Sequence, residues 1–231
     1  MTKKPLGRKS NFVFGTLVSL GLIFVSCSDD QAKESSLPIH GNRDVEYRIV
    51  DGKEIVDTIY HVVPAFNYLD QDSNWIASRD IKEKVWVVDF FFTHCPSICP
   101  PMTTNMKRLN AMTKDLSKDI RFLSFSIDPK KDTPTRLREY KKMNGVEAKN
   151  WSFLTGVPAE NTHEMAGEFF SFAKQDEAVP GGFGHTSYFV IVDHNGHVRG
   201  IYDGLKTEAI DSLEKDLRKL MNYEYNIKGS K

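Results

Sequence analysis

Two cysteines, Cys95 and Cys99, stand in the stretch FFFTHCPSICPP at residues 90–101 with Pro96, Ser97 and Ile98 between them. Such a pair can be a structural staple, a redox dithiol or part of a metal site. A bridge here closes a loop of about five residues, worth only about 2 kcal/mol against about 3 for a fifteen-residue loop. A chain of 231 residues has core enough without it. The other two readings both need a thiolate. Pro100 and Pro101 suit a first helical turn, where a missing N–H costs nothing, so Cys99 falls at or next to a helix N-cap. Unsatisfied N–H groups and the helix dipole favour a thiolate there. Redox dithiols commonly place two residues between their cysteines. Three residues widen the loop and let both sulfurs point the same way, which favours a soft ion such as Cu(I). That ion needs a third ligand.

The elements around the pair are legible. KVWVVDFFF (84–92) is a nearly continuous apolar run, as in a strand buried on both faces. Met102, Met106, Leu109, Met112 and Leu116 recur at helical spacing. A strand at 120–128 follows, then a helix from Thr133-Pro134 to Asn144-Gly145, a strand at 151–156 and a helix at 158–173. Segments 186–193 and 197–204 flank Asn195-Gly196 as a hairpin, and 206–221 is an amphipathic helix. Upstream, 45–63 turns at Asp51-Gly52 and 65–78 turns at 70–74, two further hairpins. The order is hairpins and then β–α–β–α–β–α–β–β–α. It predicts an α/β, thioredoxin-like fold: a central mixed sheet flanked by helices, with an N-terminal β-hairpin extension.

In that fold the loop before the antiparallel hairpin faces the helix start that carries the cysteines. Here that loop is VPGGFGH, ending at His185. Of seven histidines, His185 is therefore the candidate third ligand. Its glycines, Gly181, Gly182 and Gly184, permit a close backbone approach. His40, His61, His163, His194 and His197 fall on the expected tether, a strand, a helix face and a turn; His94, beside Cys95, is expected to point away.

The N-terminus reads separately. Lys3, Lys4, Arg8 and Lys9 precede an uncharged, apolar stretch at 11–26, and FVSC (24–27) closes it before a polar run. FVSC resembles a bacterial lipobox, which makes Cys27 the lipidation site. An uncleaved anchor helix and cleavage without lipid are the alternatives, and all three place the remainder outside the cytoplasm, where disulfides persist. The expected organisation is a signal and lipobox at 1–27, a tether at 28–44 and one domain at 45–231. With Cys27 used by the anchor, Cys95 and Cys99 can pair only with each other. Formal net charge is zero, from 31 basic and 31 acidic residues, and nothing forms a nucleic-acid footprint.

These stretches together resemble the Sco/SenC family. FFFTHCPSICPPM matches its F-x-F-T-x-C-P-x-x-C-P core, FSIDPKKDTPTRLREY (125–140) its S-x-D-P-x-x-D-T-P stretch, and GHTSYFVIVDHNGHVRGIY its histidine segment. PAFNYLDQDSNWI matches its entry hairpin, and the similarity runs over roughly residues 45–220 in family order. The resemblance implies a membrane-anchored copper protein that serves assembly of the dinuclear copper centre of cytochrome c oxidase. Its partner is then the copper-bearing oxidase subunit or another copper-site protein. It implies one copper held by Cys95, Cys99 and His185, with Asp128 orienting a ligand or a partner from outside. Gly184 stands where many members carry an Asp, which removes a carboxylate beside the metal. An extracytoplasmic thiol–disulfide oxidoreductase using Cys95 and Cys99 as its redox pair is the alternative, distinguished by indifference to His185.

Overall fold

The computed structural model describes residues 37–229. The segment read as signal, lipobox and anchor, Cys27 included, lies outside them.

Strands β1 (Arg43–Val50) and β2 (Lys53–Tyr60) form a separate two-stranded antiparallel hairpin. Its turn places Asp51 at φ 52° and Gly52 at φ 73°, the paired left-handed geometry that Asp-Gly accepts readily. Strands β3 (Asn67–Asp70), β4 (Trp75–Ala77), β5 (Val85–Phe91), β6 (Ile120–Ser126), β7 (Trp151–Thr155), β10 (Tyr188–Val192) and β11 (Val198–Asp203) make one mixed sheet in the order β11-β10-β5-β6-β7-β3-β4. β5, β6 and β7 are parallel; β10 joins β5 and β3 joins β7 antiparallel. Among the described residues four helices accompany it: α1 (Cys99–Met112), α2 (Pro134–Met143), α3 (Ala159–Glu168) and α4 (Thr207–Glu224). This is the expected thioredoxin-like plan.

β5 explains the core. Every one of its residues is buried, because successive side chains feed opposite layers. Phe90 packs on Phe125 and on Phe169, just past α3, whereas Phe91 packs on Tyr140 of α2 and on Phe153. Helices therefore cover both faces of the sheet, and the strand that ends at the cysteines is fixed from both sides.

Local signals act as their chemistry requires. Thr133 caps α2, its Oγ1 accepting from Arg136 N at 3.3 Å, with Pro134 in the first turn. Gly145, at φ 59°, follows its end. The helix expected over 158–173 stops at Glu168 instead. Phe170 takes φ 55°, and Ala173–Gln175 becomes β8, paired antiparallel with β9 (Phe183–His185). The apolar residues at 169–173 are held by the sheet core and by this ribbon rather than by a helix face.

The chain is docked from Leu37 onward. Arg199, only 4% exposed, donates to Leu37 O at 2.6 Å and Pro38 O at 3.2 Å, and it pairs with Asp193 at 2.9 Å and Glu224 at 2.6 Å. A buried guanidinium with carboxylates and carbonyls at its donors keeps its charge satisfied. It ties the chain's entry to the β10–β11 hairpin and to the end of α4.

Candidate metal centre

β5 ends at Phe91, and the chain turns through Thr93–Ile98 into α1. Cys99 is the first residue of that helix, with prolines in its first turn and Ile98 at the N-cap. The turn is fastened from behind. Asp132, fully buried, accepts from Thr93 N at 3.1 Å, Thr93 Oγ1 at 2.5 Å and Ser126 Oγ at 2.6 Å. Ser126 Oγ in turn accepts from Asp128 N at 3.2 Å. The S-x-D-P-x-x-D stretch thus holds the cysteine turn through its second Asp.

His185 arrives on β9. Phe172 N donates to Thr186 Oγ1 at 3.2 Å and Thr186 N to Phe172 O at 3.0 Å, which locks the β8–β9 ribbon. Gly181 lets this ribbon lie on the turn: at φ 90°, a Cβ there would meet the Phe92 ring at 2.8 Å and Pro96 Cδ at 3.1 Å. Phe92 is the floor of the site, edge-on to the rings of both His94 and His185.

The ligand atoms of Cys95, Cys99 and His185 all lie within 4.8 Å of one another, and Cys99 Sγ is 3.4 Å from His185 Nε2. His185 Nδ1 is 2.9 Å from Thr186 O, which can only accept. Nδ1 therefore carries the hydrogen, and in the neutral ring Nε2 turns its lone pair toward the sulfurs. Ligands about 2.0–2.3 Å from a shared soft ion sit about 3.5–4 Å apart, so a small closure of this trio suffices. The donor set, two sulfurs and one imidazole nitrogen, suits a soft monovalent or borderline ion and offers no hard oxygen donor.

Both cysteines are free thiols and buried, Cys99 more completely, at 1% exposure against 8%. They titrate apart. The neighbouring Cys99 thiol holds Cys95 well below the usual thiol range, whereas the anionic neighbour and burial push Cys99 up. Cys95 is the readier thiolate; Cys99 loses its proton to solvent or a base as it binds a cation or forms a bond to sulfur.

Asp128 touches none of the three ligands. It is buried, 3.5 Å from His94 Nε2 and 3.8 Å from Lys131 Nζ, and reaches the centre only through His94, the neighbour of Cys95. His94 stays outside the ligand trio.

One residue beside the site had escaped the sequence reading. Asp89, in the middle of β5, is 4% exposed, and its Oδ1 has no hydrogen-bond partner. Burial pushes its carboxyl up to about 7, against the pull of Ser124 and His185. A single acid in WVVDFFF was the available signal.

Fold and centre together define a thioredoxin-like domain that presents two thiols and an imidazole from a strand–helix turn and a facing ribbon. The family model described as SCO1/SenC matches residues 57–222, and the chain belongs to that family. Among curated proteins, it is 32% identical over 167 residues to the SCO1 protein homolog of Bacillus subtilis, covering 72% of this chain and 86% of that one. Among solved structures, a SCO1/SenC family lipoprotein from Bacillus anthracis superposes with TM-score 0.64 at 34% identity, over 69% of this chain and 94% of that one. BsSco, described as carrying a disulfide switch and as a member of the Sco family of cytochrome c oxidase assembly proteins, gives TM-score 0.61 at 33% identity, over 68% and 91%. A copper-bound ScoI from Bradyrhizobium japonicum shares the fold, with TM-score 0.56 at 22% identity, over 67% and 98%.

Proposed function

We propose that this chain is a membrane-anchored, extracytoplasmic copper metallochaperone. Cys95, Cys99 and His185 bind one copper ion, and the cargo goes to the dinuclear copper centre of cytochrome c oxidase. The single observation that carries this reading is the convergence of two sulfurs and a tautomer-fixed Nε2 within 4.8 Å. The copper-bound relative and the oxidase-assembly description of BsSco support the cargo and the destination. Copper supplies the Lewis acidity that keeps both sulfurs deprotonated. The chain supplies the positions: Asp132 fixes the turn, Thr186 fixes the imidazole, and Phe92 packs on Phe183 beside the site. Asp128 acts through His94 as a positioning residue for the turn or for a docking partner.

The asymmetry of the thiols favours a second activity at the same pair, thiol–disulfide exchange with a partner's cysteines. Cys95 attacks a partner disulfide, forming a mixed disulfide and releasing one partner thiolate. Cys99, after losing its proton, displaces the second, leaving Cys95–Cys99 oxidised and the partner reduced.

Copper titration of the full chain separates these readings. Parent protein binds about one equivalent, Cys95→Ala and Cys99→Ala lose it, and His185→Ala weakens it by about 10²-fold or more, at least the upper end of the cost of an outer-shell change. Tight binding by His185→Ala contradicts the three-ligand claim; unchanged disulfide reduction by that variant supports the exchange activity.

A further inference from the structure

Helix α1 has two ends. Its 14 residues span about 21 Å, from Cys99 at the metal centre to Met112 at the opposite pole. Between that pole and α4 lies an open groove of about 1150 Å³. Met112, Leu116, Tyr223 and Ile227 give it an apolar lining, and Lys114, Lys215, Arg218, Lys219 and Lys228 supply its cations. Asp115 lies in that lining and Glu214 pairs with its Arg218, so five cations less two acids give a local +3 in a chain of formal net charge zero. Asp115 is spoken for, accepting from Arg218 Nη1 at 2.8 Å. Lys114 also lines an adjoining groove of about 660 Å³ that adds Arg121 and Lys149 against Glu147. The basic surface is thus continuous across two grooves.

The chain enters the domain at this same pole. Leu37 N donates to Glu224 Oε1 at 3.4 Å and Leu37 O accepts from Arg199, and Glu224 directly follows Tyr223 of the groove. Leu37 is ten residue steps from Cys27, with nine residues between them, a span of at most about 33–36 Å when fully extended. A lipid on Cys27 keeps this end of the domain within that distance of the bilayer.

We propose that this pole seats on an anionic membrane surface. Phosphate headgroups meet Lys114, Lys215 and Lys228, and the apolar lining with the ring of Tyr223 takes the interfacial, acyl-proximal layer. The domain then stands with Cys95, Cys99 and His185 directed away from the lipid, toward whatever partner approaches from the aqueous side. This rests on the membrane-side placement proposed above, though the groove attracts anionic lipid whether or not Cys27 is acylated.

The test is hydrogen exchange on the full chain with phosphatidylcholine vesicles, with and without phosphatidylglycerol. Phosphatidylglycerol is expected to slow exchange in residues 112–117 and 222–229, to lose that effect at high salt, and to leave the cysteine turn unchanged. Each lysine contributes about fivefold to partition onto an anionic surface, so Lys114→Gln/Lys215→Gln/Lys228→Gln lowers it by about 10²-fold. Unaltered exchange in β5 and β6 shows that this variant is folded. Equal exchange on both vesicles overturns the proposal, as does phosphatidylglycerol protection that survives the triple variant. Protection by polyglutamate and not by phosphatidylglycerol also overturns it, pointing to an acidic polypeptide instead. Flotation on pure phosphatidylcholine reports the anchor separately: flotation without protection sinks only the pole, and protection without flotation sinks only the anchor.

Discussion

The two ends of α1 solve opposite problems on one helix. At the N-terminal end, buried sulfurs and a half-buried imidazole sit on an aromatic floor, held by hydrogen bonds that leave little play. At the C-terminal end an open groove carries five cations over apolar residues, with little to select one small ligand. The contrast teaches what each end can recognise. Directional donors held a few ångströms apart suit a single soft ion. Long, flexible, hydrated side chains on an open surface attract an extended charged partner and are indifferent to its detail.

The comparison breaks most severely at Cys99. Cys99→Ala removes the buried donor and is expected to abolish copper retention in equilibrium dialysis while leaving the basic pole's lipid response intact. Loss of both together would mean that the two ends are not independent.

Next in size is Asp89. Its folded carboxyl is raised to about 7, above the 3.8 of an ordinary aspartate in the unfolded chain. A raised folded value means that the associated stability is fully present below about 4 and lost as pH rises through about 7. The parent's unfolding free energy therefore declines over that window, by on the order of 4 kcal/mol at most. Asp89→Asn flattens the decline, measurable by urea denaturation at several pH values. An unchanged slope in the variant would remove Asp89 from the account.

Arg199 comes third. Arg199→Met leaves Asp193 and Glu224 without their shared cation and Leu37 O without its donor, at an expected cost of about 3 kcal/mol or more. Fast exchange is expected at Leu37–Asn42 and at the end of α4, with copper affinity nearly unchanged. A copper site lost along with the clasp would show that the entry pole supports the metal end.

The smallest effect is expected from Gly184→Asp. A Cβ there meets only Phe172 Cε1, at an ordinary 3.7 Å, so a side chain can be introduced at this position. Copper affinity should change by no more than about tenfold, the low end of the scale of an outer-shell change. A larger change would give that carboxylate a place among the ligands.

How much of this the sequence disclosed follows from how local each cause is. The cysteine turn was legible because prolines and a buried apolar strand fix a strand-to-helix turn by themselves, and Asp51-Gly52 announced the first hairpin in the same way. His185 was legible only through topology, since its partners are 86 residues away in the case of Cys99. The shortened α3 and the β8–β9 ribbon were not: Phe169, Phe172 and Ala173 have side chains that suit either a helix or a strand, and pairing with Phe183–His185 decided between them. Asp89 was hidden by its neighbours, because a strand buried on both faces shows no alternation that would mark one position as unusual. Asp132 was visible as part of a motif, but its hold on Thr93 is a contact across 39 positions that only the folded chain displays.

The central claim is that two sulfurs and one imidazole act as a single ligand set. Competition of the full chain against a Cu(I) chelator of known affinity, parent beside His185→Ala, addresses it most directly. The account predicts about one copper per chain for the parent, and affinity weakened by about 10²-fold or more once the imidazole is gone. Equal affinity in the two proteins would contradict it and leave Cys95 and Cys99 as a dithiol alone.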